Sequence, residues 1–137
     1  MERLLVPPRI LATAEAEEWI LKLEDIHGPL MFHQSGGCCD GSAPMCFPRG
    51  EFRVGGQDVL LGHLVNDTPV WIGAAQFEYW RHTQVTIDVV PGRGSGMSVE
   101  APEGIRFIVR SRVFSDAEAE TLAAVGEPQR GDTYVGP

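Results

Sequence analysis

Apolar positions follow a helical period in one stretch of this chain and alternate in several others, and that contrast sets out most of the fold. Thr13 offers an N-cap, Glu15, Glu17 and Glu18 suit the positive end of a helix dipole, and Ala16, Trp19, Ile20, Leu23 and Ile26 then recur on one stripe. Gly28 and Pro29 supply a left-handed cap and a residue that cannot continue, so residues 13–27 are expected as a helix. Residues 30–34 read as a short strand. Residues 58–65 and 69–74 are rich in Val, Leu, Ile and Trp around the turn chemistry of Asn66-Asp67-Thr68, which predicts a hairpin.

Across residues 83–90, Val85, Ile87 and Val89 alternate with Gln84, Thr86 and Asp88, the period of a half-buried strand. The glycine-rich segment 92–96 joins it to a strand expected at 97–100, and Pro102 and Gly104 turn the chain into another over 105–114. Ser115 and Glu118 form a capping box for a helix to about Val125, and beyond Gly126 the polar, Pro- and Gly-bearing segment reads as a loose tail. These elements predict a small α+β protein, mostly β, with a single globular domain over residues 1–125 and a flexible tail over 126–137.

Composition supports one ordinary globular domain: 137 residues, 43% hydrophobic and 22% charged. A net charge of -8 would repel a phosphate backbone, so nucleic acid is not an expected partner. The N-terminal residues lack the order of a secretory signal, and no apolar run approaches the roughly 20 residues that span a bilayer. The expected setting is a reducing cytoplasm, with no membrane partner; a homo-oligomer is compatible with the sequence.

Chemistry concentrates in one place. His33, Cys38, Cys39, Asp40 and Cys46 lie in a glycine-punctuated stretch that holds all 3 cysteines of the chain. Thiols so close in sequence cannot staple distant parts of a fold, which leaves metal ligation or a working thiol. Cys38 or Cys39 with Cys46, His33 and Asp40 have the ligand types that zinc or iron prefers, although adjacent cysteines depart from common zinc spacing. Alternatively, Cys38 or Cys39 attacks as a thiolate and Cys46 resolves the adduct, with Gly36, Gly37 and Gly41 letting backbone amides face the sulfur. Cysteines buried as small hydrophobes are the third alternative. Asp40 serves equally well as a turn residue, and His27, His63 and His82 have plainer explanations at a helix end and on strands. The aromatic group Trp71, Phe77, Tyr79 and Trp80 reads as core, with Tyr79 or Trp80 able to anchor a protein partner from an outer face.

The stretch 33–47, followed by Asp58-Val59-Leu60-Leu61-Gly62, Gln76-Phe77-Glu78-Tyr79-Trp80, Asp88-Val89-Val90-Pro91-Gly92 and the run 106–112, resembles a bacterial family known only as a numbered domain of unknown function. The resemblance covers residues 13–115. Genes of that family often lie beside genes for NAD-dependent aldehyde dehydrogenases, so it implies an accessory or maturation role in aldehyde oxidation. More distantly, Gly36-Gly37-Cys38-Cys39-Asp40-Gly41 is similar to the sulfur-bearing loop of the HesB-like A-type iron–sulfur carriers, which implies a compact pseudo-barrel. Those carriers add a C-terminal cysteine pair, and this chain has no cysteine after Cys46, so zinc or iron fits better than their cluster.

The expected function is thus an accessory protein for an aldehyde dehydrogenase, holding a metal or exchanging sulfur or reducing equivalents through Cys38 and Cys46, with His33 and Asp40 orienting or ligating. The alternatives are a small cysteine-dependent enzyme acting on an aldehyde or thiol adduct with His33 as base, and a structural subunit with buried cysteines.

Overall fold

The computed structural model describes residues 6–34, 42–50, 54–92 and 98–131. The first helix, α1 (Ala14–His27), begins where Thr13 accepts a hydrogen bond from the Ala16 amide and ends where the Gly28 amide donates to the carbonyl of Glu24. Thr13 also ties the helix to the sheet, its hydroxyl donating to Asp88 at 2.9 Å and its amide to the carbonyl of Ile87 at 3.0 Å. Ala16, Ile20 and Leu23 are buried, whereas Ile26, the last residue of the expected stripe, is 63% exposed. Lys22 lies over the half-buried ring of Trp19, 4.7 Å from its centroid.

Among the described residues the strands form two mixed sheets. One has the order β1 (Ile10–Ala12), β6 (Thr83–Pro91), β7 (Ile105–Val113), with β1 parallel and β7 antiparallel to β6. The other has the order β3 (Met45–Pro48), β2 (Leu30–Gln34), β5 (Thr68–Gly73), β4 (Asp58–Leu64), with only β2 and β5 parallel. Two further helices, α2 (Ala74–Trp80) and α3 (Asp116–Val125), complete an α+β architecture.

One core joins the two sheets. Ile87, Phe107 and Val109 from the first sheet meet Phe32, Cys46, Val70 and Ile72 from the second, with Ile20 and Leu23 of α1 and Phe77 and Trp80 of α2 closing the sides. Phe32 and Phe107 pack edge to face across the interface, ring centroids 5.0 Å apart. At Gly62 the sheets approach so closely that a Cβ would lie 2.9 Å from Cγ2 of Ile10, and its φ of +153° is a second reason for glycine. The same glycine follows a register shift in the β4–β5 hairpin.

Three elements were absent from the sequence expectations: β1, β3 and α2 have 3, 4 and 7 residues, too short for either period to stand out. In α2, Phe77 and Trp80 face the core at a spacing of three while Tyr79 is 69% exposed, so of the two candidate partner anchors only Tyr79 faces outward. The strand expected at 97–100 is not formed in its described part. Residues 98–100 turn into a short 3-10 segment, Ala101–Glu103, because the Ala101 and Glu103 amides bond locally to the carbonyls of Ser98 and Glu100.

In its described part the segment after Gly126 runs beside β4. Leu60 donates to the carbonyl of Gln129 at 2.8 Å, Val59 bridges Arg130, and the Gly131 amide bonds to the carbonyls of Gly55 and Asp58, which covers the β4 edge. Residues 132–137 lie outside the described part. No described helix is long and apolar enough to cross a membrane.

Candidate functional site

Side chains on successive strand residues leave opposite faces of a sheet, so β2 presents two different chemistries. Phe32 pairs with Val70 and Cys46, and all three join the main core. Met31 and Trp71 belong instead to a second cluster on the outer face, with Leu60 and the flanking Phe47 and Val54. His33 follows Phe32 and pairs with Trp71, so it belongs to that outer face.

There His33 Nε2 lies 2.6 Å from Oδ1 of Asp58, with the two side chains only 5% and 14% exposed. Asp58 is two strands away, opposite Gly73 of the intervening β5. The glycine puts no side chain in that row, and the imidazole reaches across it diagonally. The second carboxylate oxygen accepts the Gly55 amide at 3.0 Å, while the Asp58 amide bonds back to the Gly55 carbonyl, so the 55–58 turn orients the carboxylate. Held in this way, the carboxylate fixes the position of the imidazole ring, as carboxylates behind basic or metal-bound histidines do.

Cys46 is in a different environment. Its side chain is wholly buried among core residues, and burial, with smaller contributions from the negative charges of Glu100 and Glu24, pushes its thiol well above the ordinary range. A protonated, buried thiol is neither nucleophile nor ligand. The structure does not bring Cys46, the expected resolving thiol or metal ligand, together with His33: the two residues occupy opposite faces of one sheet. Its backbone is held by the Ser98 hydroxyl oxygen, which accepts the Cys46 amide at 2.7 Å, and Ser98 donates in turn to the buried carboxylate of Glu100.

Cys38, Cys39 and Asp40 lie outside the described residues. They belong to the connection between β2 and β3, whose flanks are brought together by the pairing of His33 with Met45. Cys38 follows His33 by five positions, so chain length alone keeps their Cα atoms within about 18 Å. Among the described residues no three of His, Cys, Asp and Glu gather as a metal-binding group. Asp58 is the site residue that sequence reasoning missed. Its one signal was a carboxylate standing directly before the apolar run Val59-Leu60-Leu61.

The fold and site together define an α+β protein with a carboxylate-oriented histidine leading into a cysteine-bearing loop. The chain belongs to the family described as Domain of unknown function (DUF779), whose model matches residues 19–113. No curated protein and no solved structure matches it significantly.

Proposed function

We propose that the protein is an accessory partner of an NAD-dependent aldehyde dehydrogenase and keeps that enzyme's catalytic thiol in working form by thiol exchange. The observation that carries this reading is the 2.6 Å contact of His33 with Asp58 at the strand entering the Cys38–Cys39 loop. His33 accepts a proton from Cys38 or Cys39, and the thiolate attacks the sulfur of a small thiol bound in disulfide to the dehydrogenase. A new disulfide forms between this protein and the small thiol, and the dehydrogenase cysteine leaves as its thiolate.

The decisive experiment starts from such a dehydrogenase blocked by glutathione. The protein should restore activity and acquire one glutathione on Cys38 or Cys39 by mass spectrometry, and a variant carrying both Cys38→Ser and Cys39→Ser should do neither. Equal reactivation by that variant would end the proposal.

The same histidine–carboxylate pair favours a second reading, in which His33 ligates zinc or iron with Cys38, Cys39 or Asp40 and Asp58 orients the ring from behind. The chemistry of this donor set fits such an ion, which would supply a Lewis acid at the loop. Protein purified without an affinity tag under reducing conditions should then carry about one equivalent of metal, lost in His33→Gln; less than about a tenth of an equivalent excludes this reading.

A further inference from the structure

A second site lies away from the cysteine loop, where the chain entering β1, the end of α2 and the start of β6 face the end of β7 and α3. These elements enclose a cleft of about 550 Å³, within the range of small-molecule sites. Val113, Phe114, Ala119 and Leu122 form its apolar wall. Two guanidinium groups meet at one end, with Arg9 and Arg81 lying 5.2 and 5.1 Å from the centroid of the same buried ring, Phe77.

The two arginines differ in how their charge is answered. Arg81 binds Glu127 at 2.6 Å and Glu78 at 3.1 Å. Arg9, half-buried, donates to the Arg81 carbonyl at 3.2 Å, and no carboxylate of the described residues lies within ion-pair distance. Of the other polar groups at the rim, Glu127 is bound to Arg81, His82 also lines the cleft, and Asp116 sits on the first turn of α3, where the helix dipole offsets its charge. Burial, and after it the neighbouring Arg81, weaken the hold of Arg9 on its proton, while the charge of Glu127 opposes them.

We propose that this cleft binds a small monocarboxylate with an apolar body, its carboxylate held bidentately by Arg9 and its body laid along Val113, Phe114 and Leu122. A guanidinium matches a carboxylate in geometry as well as charge, and desolvation beside an apolar wall strengthens the pair. A neutral analogue leaves Arg9 unanswered, and a compact anion without an apolar body leaves the wall wet.

The test uses the full chain and three probes: hexanoate, hexanol and inorganic phosphate, followed by NMR of the Val113 and Leu122 methyl groups. Hexanoate should shift both with a Kd of roughly millimolar order, at least about tenfold tighter than either other probe. Arg9→Gln should weaken hexanoate about tenfold or more. Should that variant fail to fold, Ala119→Trp fills the cleft while keeping Arg9 and should abolish the shifts. Hexanol or phosphate binding as well as hexanoate, hexanoate binding unchanged in either folded variant, or no shift up to about 20 mM would each overturn the proposal.

Discussion

The two faces of β2 hold residues of similar chemical promise in opposite conditions. Inward, Cys46 sits against Phe32 with no exposure and a thiol pushed up by burial. Outward, His33 is nearly as buried but hydrogen-bonded to an oriented carboxylate, so it keeps a defined polar role. The surroundings of each of these residues therefore follow from the face it occupies and the partner it finds there, rather than from its distance along the chain from the other candidates.

Damage to the inner face should have the greatest consequence for folding. Phe32→Ala should lower stability by about 3–5 kcal/mol in urea unfolding, because it empties the edge-to-face contact with Phe107 at the centre of the core. A loss below about 1 kcal/mol would mean that the inner face is not the packed one. Gly62→Ala should cost about 1–3 kcal/mol, since its methyl meets Ile10 across the sheets.

Asp58→Asn removes the carboxylate from behind His33 and should cost about 1–3 kcal/mol, with alkylation of the remaining reactive thiol slowed about tenfold. By contrast, Cys46→Val should stay within about 1.5 kcal/mol of the parent and leave that alkylation rate unchanged. Rapid labelling of Cys46 in the native protein would contradict its placement.

The smallest expected effect concerns pH. Burial raises the carboxyl of Glu100 above its ordinary value, against the opposing hydrogen bonds of the Ser98 hydroxyl and the Glu100 and Phe107 amides. The folded protein thus holds this proton more tightly than the unfolded chain. Its contribution to stability is full below the ordinary glutamate value and is lost as pH rises through the raised one. Glu100→Gln removes that titration, so parent stability should fall relative to the variant as pH rises from about 4 to about 7, followed by urea midpoints. Parallel profiles would show that Glu100 is not buried as described.

How much of this was legible beforehand depended on whether the signal was local. The caps at Thr13, Gly28 and Ser115 and the alternation through Val85, Ile87 and Val89 act within a few residues, and the corresponding elements formed where expected. The three-residue β1 is made by parallel pairing with β6, some 75 positions away, and has no local signature. Cys46 looked like chemistry because Cys38 and Cys39 lie a few positions before it, yet its pairing with Phe32 turns it into the core. Asp58 gained its role by the converse route: its place two strands from His33, across Gly73, is a fact of register that no spacing along the chain discloses.

In the proposed function the outer face activates a thiol in the neighbouring loop while the inner thiol stays inert. The direct measurement is the pH dependence of iodoacetamide alkylation in a Cys46→Val background, with and without Asp58→Asn, folding being checked by circular dichroism. One fast-reacting thiol is expected, with a midpoint below the ordinary value of about 8.5, slowed when Asp58 is replaced. Identical rates and midpoints in the two folded proteins would contradict it.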